Sequence, residues 1–167
     1  MRLRTRSTVL LASLCALLLC AALPVCAGDT DILVGAGRMD LRSSSGLAYG
    51  SLEATHLVGS SRYWGFWGAA DVSGTANWAG GGLFATWPFS PRWSLSLSSG
   101  PGWYSNPSRL DLGHALEFRS TAYLICRWKE RYGAGLSVSH YSNAGLSKHN
   151  PGTESVRLFF TVRLGKR

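Results

Sequence analysis

Three side chains near the C-terminus have the types and spacing for ester hydrolysis: His140, Ser142 and Glu154. A serine hydroxyl becomes an effective nucleophile once a base takes its proton, and imidazole does this near neutral pH. A carboxylate beside the imidazole orients it and stabilises its cation. In a β-strand, residues i, i+2 and i+4 share a face. Leu136, Val138, His140 and Ser142 therefore point one way, and Gly133, Gly135, Ser137, Ser139 and Tyr141 the other. After the turn-forming Asn150-Pro151-Gly152, a second alternation sets Glu154 with Val156, Leu158, Phe160, Val162 and Leu164. Its opposite face reads Ser155, Arg157, Phe159, Thr161 and Arg163. Nucleophile, base and carboxylate thus share the apolar side of two consecutive strands about 4.8 Å apart. Asn143 offers an amide donor to an oxyanion, provided that the chain leaves the strand after Ser142. The small Ala144 and Gly145 favour that departure, and their backbone N–H groups add donors.

The elements that position these residues are strands. From the cut site described below onward, no run of about 18 uncharged apolar residues occurs and no helical period is sustained. Alternation recurs instead in pieces of about ten residues separated by Gly, Ser, Pro and Asn. The segments are 31–42, 46–58, 62–73, 78–88, 92–103, 113–126, 131–142 and 154–164. Trp93, Leu95 and Leu97 alternate with Arg92, Ser94, Ser96 and Ser98; Leu116, Phe118, Ala122 and Leu124 alternate with Glu117, Arg119, Thr121 and Tyr123. The second and fourth segments show a weaker rhythm, because Gly80-Gly81-Gly82 and several alanines blur it.

Alternating strands build either a soluble sandwich or barrel, with the apolar face inward, or a membrane barrel, with that face toward lipid. Glu117, Arg119, Arg157 and Arg163 on the polar face suit a wet or ion-paired lumen. Tyr63, Trp64, Trp87, Trp103, Tyr104, Trp128 and Tyr132 lie near strand ends, as interfacial girdles require. A spanning strand needs about 9–11 residues and bacterial barrels have even strand numbers. The expectation is an all-β fold, an eight-stranded antiparallel transmembrane β-barrel. With both termini periplasmic, the loop between the last two strands lies at the outer surface. His140, Ser142 and Glu154 then stand on the lipid-facing wall near the outer headgroups.

The N-terminus supplies the route. Arg2, Arg4 and Arg6 precede an apolar run from Val9 to Leu23, and Val25 and Ala27 occupy the −3 and −1 positions of a cut after Ala27. This is the pattern of a secretory signal peptide, so residues 1–27 are expected to be removed and 28–167 to form the barrel domain. Cys15, Cys20 and Cys26 leave with it. Cys126 alone remains, so neither an internal disulfide nor a cysteine metal cluster is expected. Losing three arginines and no acid lowers the net charge from +8 to +5. For an exported chain, that surplus points to anionic lipid or lipopolysaccharide headgroups rather than nucleic acid.

Taken alone, a His-x-Ser pair fits a polar rim meeting headgroups as well as it fits a catalytic site. Against the bland reading, a carboxylate on a lipid face is unfavourable except near the interface. The combination of Gly135-Leu136-Ser137-Val138-Ser139-His140-Tyr141-Ser142-Asn143-Ala144-Gly145-Leu146 with Asn150-Pro151-Gly152-Thr153-Glu154-Ser155 resembles the outer-membrane lipid A 3-O-deacylases. Gly113 and Leu116-Glu117-Phe118-Arg119-Ser120 are similar to the same family. The resemblance covers roughly the C-terminal third; the N-terminal half agrees in size and strand rhythm only. It implies an eight-stranded barrel in a Gram-negative outer membrane, and a serine esterase that hydrolyses the ester-linked 3-hydroxyacyl chain at position 3 of lipid A. It also implies Ser142 as nucleophile, His140 as base, Glu154 as orienting acid and Asn143 as oxyanion donor. The expected partners are lipopolysaccharide and outer-membrane lipid. No cofactor and no metal are expected, and pairing of two copies is left open. The acyl chain is expected along Leu158 and Phe160, deeper on Glu154's face. One departure is the ending Val162-Arg163-Leu164-Gly165-Lys166-Arg167, where barrels of this kind usually finish in an aromatic residue.

Overall fold

The computed structural model describes residues 29–59, 61–105 and 110–164. The expected signal segment, residues 1–27, and the last three residues of the chain lie outside the described residues. Eight strands follow one another: β1 (Thr30–Met39), β2 (Leu47–Leu57), β3 (Trp64–Val72), β4 (Asn77–Pro88), β5 (Trp93–Ser105), β6 (Leu116–Trp128), β7 (Tyr132–Ser142) and β8 (Thr153–Leu164). Each pairs antiparallel with its neighbour and β8 closes on β1, so the sheet has no free edge. Every expected strand is present. Most bounds shift by one or two residues and two by three: β1 stops at Met39 because Asp40 turns into a left-handed conformation (φ 60°), and β6 begins at Leu116 because Gly113 (φ 87°) still belongs to the preceding loop. β5 and β7, which precede the two longest connections, end on the same side of the barrel, and the shortest turn, 129–131, lies on the other. Outer-membrane barrels put long loops outside and short turns in the periplasm.

Outward rows are apolar and open: Leu95, Leu97, Leu124, Leu136, Val138, Leu158 and Phe160 are all exposed. In water such a surface would aggregate; in a bilayer it meets acyl chains. Tyr63, Trp64, Trp87, Trp93, Trp128 and Tyr132 stand outward around the short-turn end as an aromatic girdle. Trp103 does so at the long-loop end, whereas Tyr104 turns inward and is buried.

The lumen is polar, and ion pairs fill its middle. Arg119 donates to Asp71 Oδ2 at 2.8 Å and to Glu53 Oε2 at 2.7 Å, while Arg157 reaches the same Glu53 oxygen at 3.2 Å. Tyr141 donates to Asp71 Oδ2 at 2.8 Å. The Arg119 guanidinium also lies over the rings of Trp67 and Trp78, 4.2 and 4.9 Å from their centroids. Trp78, Leu112 and Tyr141 are fully buried above this layer and close the lumen toward the long loops. A cavity of about 920 Å³ opens at the short-turn end instead, lined in part by Asp31, Glu53, Arg127 and Arg163. Buried charges of this kind cost little while paired and much when orphaned. Arg119→Met is therefore expected to leave Asp71 and Glu53 under-compensated and to destabilise the barrel by roughly 3–5 kcal/mol. A lowered urea midpoint for unfolding from lipid vesicles would register the loss; an unchanged midpoint would remove Arg119 from the core account.

Candidate active site on the outer wall

His140 and Glu154 are direct cross-strand partners in the β7–β8 ladder. Both side chains leave the sheet on its outer face. His140 Nδ1 lies 3.4 Å from Glu154 Oε1, with the imidazole half exposed. An Nδ1–H directed at the carboxylate leaves Nε2 as the basic nitrogen. Ser142 is two residues beyond His140 at the end of β7, on the same face. Among the described residues, no hydrogen bond joins Ser142 to the imidazole; Ser142 Oγ accepts one, at 3.4 Å, from the Ala144 N–H.

The loop after Ser142 is built to hold that geometry. The chain leaves the strand at Ser142 as expected, and Ala144 (φ 54°) and Gly145 (φ 83°) both adopt left-handed backbone. Asn143, however, turns inward and is fully buried. Its Nδ2 donates to Leu112 O at 3.0 Å and to His149 O at 2.9 Å, and its Oδ1 accepts from the Gly145 N–H at 3.0 Å. Its own N–H donates to Asn150 Oδ1 at 3.2 Å. Both amide hydrogens are thus committed to carbonyls, and the side chain ties the 143–152 loop to the 110–115 segment rather than facing Ser142. Of the three residues considered as oxyanion donors, Ala144 alone has its N–H directed at the Ser142 hydroxyl.

Three residues of the Asn-Pro-Gly-x-Glu run have a physical task at the site. Asn150 holds the backbone of Asn143. Gly152 (φ 60°) lies against the imidazole, where an added Cβ would come within 3.1 Å of His140 Cε1. Glu154 meets Nδ1. Gly113 serves the same junction from the other loop, since a Cβ there would stand 1.9 Å from His149 O. Two variants follow from this clamp. Asn143→Ala and Gly113→Ala are each expected to lower kcat about 100-fold, the scale of an ångström-sized misplacement of a reacting group, while the barrel keeps its heat-dependent gel shift. Gly113 touches no reacting atom, so full activity in Gly113→Ala would return Asn143 to a direct role at the oxyanion.

A further side chain reaches the site from the loop between β1 and β2. Arg42 Nη2 lies 2.5 Å from the same Glu154 oxygen that faces His140, and its side chain is 73% exposed. Sequence reasoning did not single it out, because only the closing β1–β8 pairing brings residue 42 to residue 154. The outer wall beside His140 is also concave. A groove of about 730 Å³ begins at Glu154 and His140, passes Val138, Ala122 and Leu97, and reaches Leu83 on β4. The expected acyl path along Leu158 and Phe160 differs from this. Those residues lie on the opposite side of His140, and Phe160 packs among Trp128 and Tyr132 in the aromatic girdle.

A closed barrel with an apolar outer wall, an ion-paired lumen and a polar constellation at its outer rim defines the class: an integral outer-membrane β-barrel. The lipid A 3-O-deacylase (PagL) family matches residues 44–163, and the chain belongs to that family. Among solved structures, the outer-membrane enzyme PagL aligns with a TM-score of 0.64 at 17% identity, over 80% of this chain and 99% of that one. A structure described as de novo design of transmembrane β-barrels aligns at 0.58 and 12% identity, over 83% and 97%. Ail, the attachment invasion locus protein of Yersinia pestis, in complex with the heparin analogue sucrose octasulfate, aligns at 0.53 and 12%, over 83% and 99%. At these identities the structural likenesses establish the fold. A search of curated proteins gives no match.

Proposed function

We propose that this barrel hydrolyses the ester that carries the 3-hydroxyacyl chain at position 3 of lipid A, in the outer leaflet, through a Ser142-His140-Glu154 relay. The observation that carries the reading is where the three side chains sit. They stand on the lipid-facing wall at the long-loop end, with His140 and Glu154 lining the mouth of an apolar groove and Ser142 two residues beyond His140, while the lumen behind them is closed by buried ion pairs. A site facing outward at headgroup height meets a membrane lipid without extracting it.

In this reading Ser142 Oγ attacks the ester carbonyl carbon and its proton passes to His140 Nε2. Glu154 holds the Nδ1–H side of the imidazole and balances the cation that forms. The Ala144 N–H, already turned toward Ser142 Oγ, donates to the oxyanion. Collapse breaks the bond to the sugar oxygen, which leaves with the proton from His140. Water then attacks the acyl-serine with His140 as base, releasing the fatty acid and restoring Ser142. Arg42 adds a positive charge beside Glu154 at the level where lipid phosphates lie.

Purified protein incubated with lipopolysaccharide, followed by mass spectrometry of the lipid, tests the assignment. The expected product lacks one 3-hydroxyacyl group, with the loss mapped to position 3. Loss of a chain from another position would change the regiochemistry. An unchanged lipid would favour a barrel that only binds lipopolysaccharide.

A further inference from the structure

The groove beside His140 carries two hydroxyls where its pattern calls for carbons. Outward positions on β5 run Leu95, Leu97, Ser99, Pro101 and Trp103; on β6 they run Phe118, Ser120, Ala122 and Leu124. One serine interrupts each apolar row. The two are cross-strand partners, both exposed to the lipid side, with Oγ atoms 2.9 Å apart. Ser120 is in turn the cross-strand partner of His140, and His140 that of Glu154. A single polar row, Ser99-Ser120-His140-Glu154, therefore crosses four strands of a wall that is otherwise apolar save for Ser105 and Ser142 at its outer rim. It enters the groove, and it descends as it goes. His140 is near the outer end of β7, Ser120 is further in on β6, and Ser99 is mid-strand on β5.

An acyl chain whose carbonyl sits at Ser142 follows that descent. Diagonal cross-strand neighbours stand about 7–8 Å apart, which is the relation of Ser142 to Ser120. That gap holds the ester carbon beside Ser142, a chain two carbons long, and a hydroxyl in contact with Ser120. We infer that Ser120, supported by Ser99, binds the 3-hydroxyl of the departing acyl chain and makes the enzyme selective for 3-hydroxyacyl esters. The inference rests on the esterase reading above and adds the feature of the substrate that is read. The two hydroxyls satisfy each other, so neither is an orphan in lipid. When substrate enters, Ser120 keeps Ser99 as one partner and takes the acyl hydroxyl as the other, as a hydroxyl with one donor and two acceptor sites permits.

The test compares two esters of glucosamine, one with a 3-hydroxyacyl chain and one with the same chain lacking that hydroxyl, presented in detergent micelles. The wild-type protein is expected to have the higher kcat/KM on the hydroxylated ester, by about fivefold to tenfold, the effect of one or two neutral hydrogen bonds. Ser99→Ala/Ser120→Ala should lose that preference by slowing on the hydroxylated ester alone. Equal slowing on both esters would make the pair structural and overturn the inference, as would a preference that survives the double substitution. Hydrolysis of neither ester by the wild-type protein would count against the esterase reading instead. Binding of the same two esters to Ser142→Ala, with and without Ser120→Ala, then decides the hydroxyl question separately: equal affinity for both esters would overturn it.

Discussion

Ser142→Ala is expected to abolish measurable deacylation while leaving a folded barrel. Loss of the nucleophile in a serine hydrolase costs on the order of 10⁶-fold in turnover, because base and orienting acid have nothing left to activate. The structural cost is small. Ser142 is the last residue of β7, half-buried at the rim, and its side chain accepts one long bond from Ala144. The variant should therefore migrate like the wild-type protein in the heat-dependent gel shift and release no fatty acid from lipopolysaccharide. A folded variant that retains turnover would remove Ser142 from the chemistry.

The second large effect separates His140 from Glu154. His140→Asn removes the base and should cost nearly as much as loss of Ser142. Glu154→Ala removes a group that acts through His140, and its cost should be smaller, on the order of 10⁴-fold. Glu154 is partly exposed and the His140 imidazole half exposed, so water reaches the imidazole of the variant. Arg42 itself is largely exposed, and ion pairs of that kind contribute little in isolation. Kinetics on purified variants check the ranking. The competing account makes His140 and Glu154 metal ligands. Activity that vanishes with a chelator and returns with one divalent ion would establish that account, whereas the relay requires turnover to persist.

The strand rhythm and the placement of the site on the lipid face are both legible in the sequence, for one physical reason. A membrane barrel exposes one face of every strand to lipid and the other to a polar lumen, so period-two alternation survives even where glycines dilute it. The same parity puts His140, Ser142 and Glu154 together, because β7 and β8 are adjacent in sequence and pair directly. What the sequence hides depends on contacts between distant segments. Asn143 reads as a donor near Ser142, but Leu112 and the carbonyl of His149 claim its amide. Arg42 reaches Glu154 only because β1 closes on β8. The expected acyl path follows Glu154's own strand when read along the chain; in the barrel, the concavity runs from Glu154 on β8 across β7, β6, β5 and β4 to Trp64 on β3, past Ala122 and two serines. Single serines in a strand say nothing until register pairs Ser99 with Ser120 and Ser120 with His140.

The most direct test of a lipid-facing serine esterase is covalent capture of its nucleophile. An alkyl fluorophosphonate, whose chain enters the groove from detergent or lipid, should modify the folded protein once. Peptide mass mapping should then place the adduct on Ser142. His140→Asn should resist labelling, and lipid A should slow labelling of the wild-type protein. An adduct on another residue, or a protein that deacylates lipid A yet takes up no label, would contradict the account.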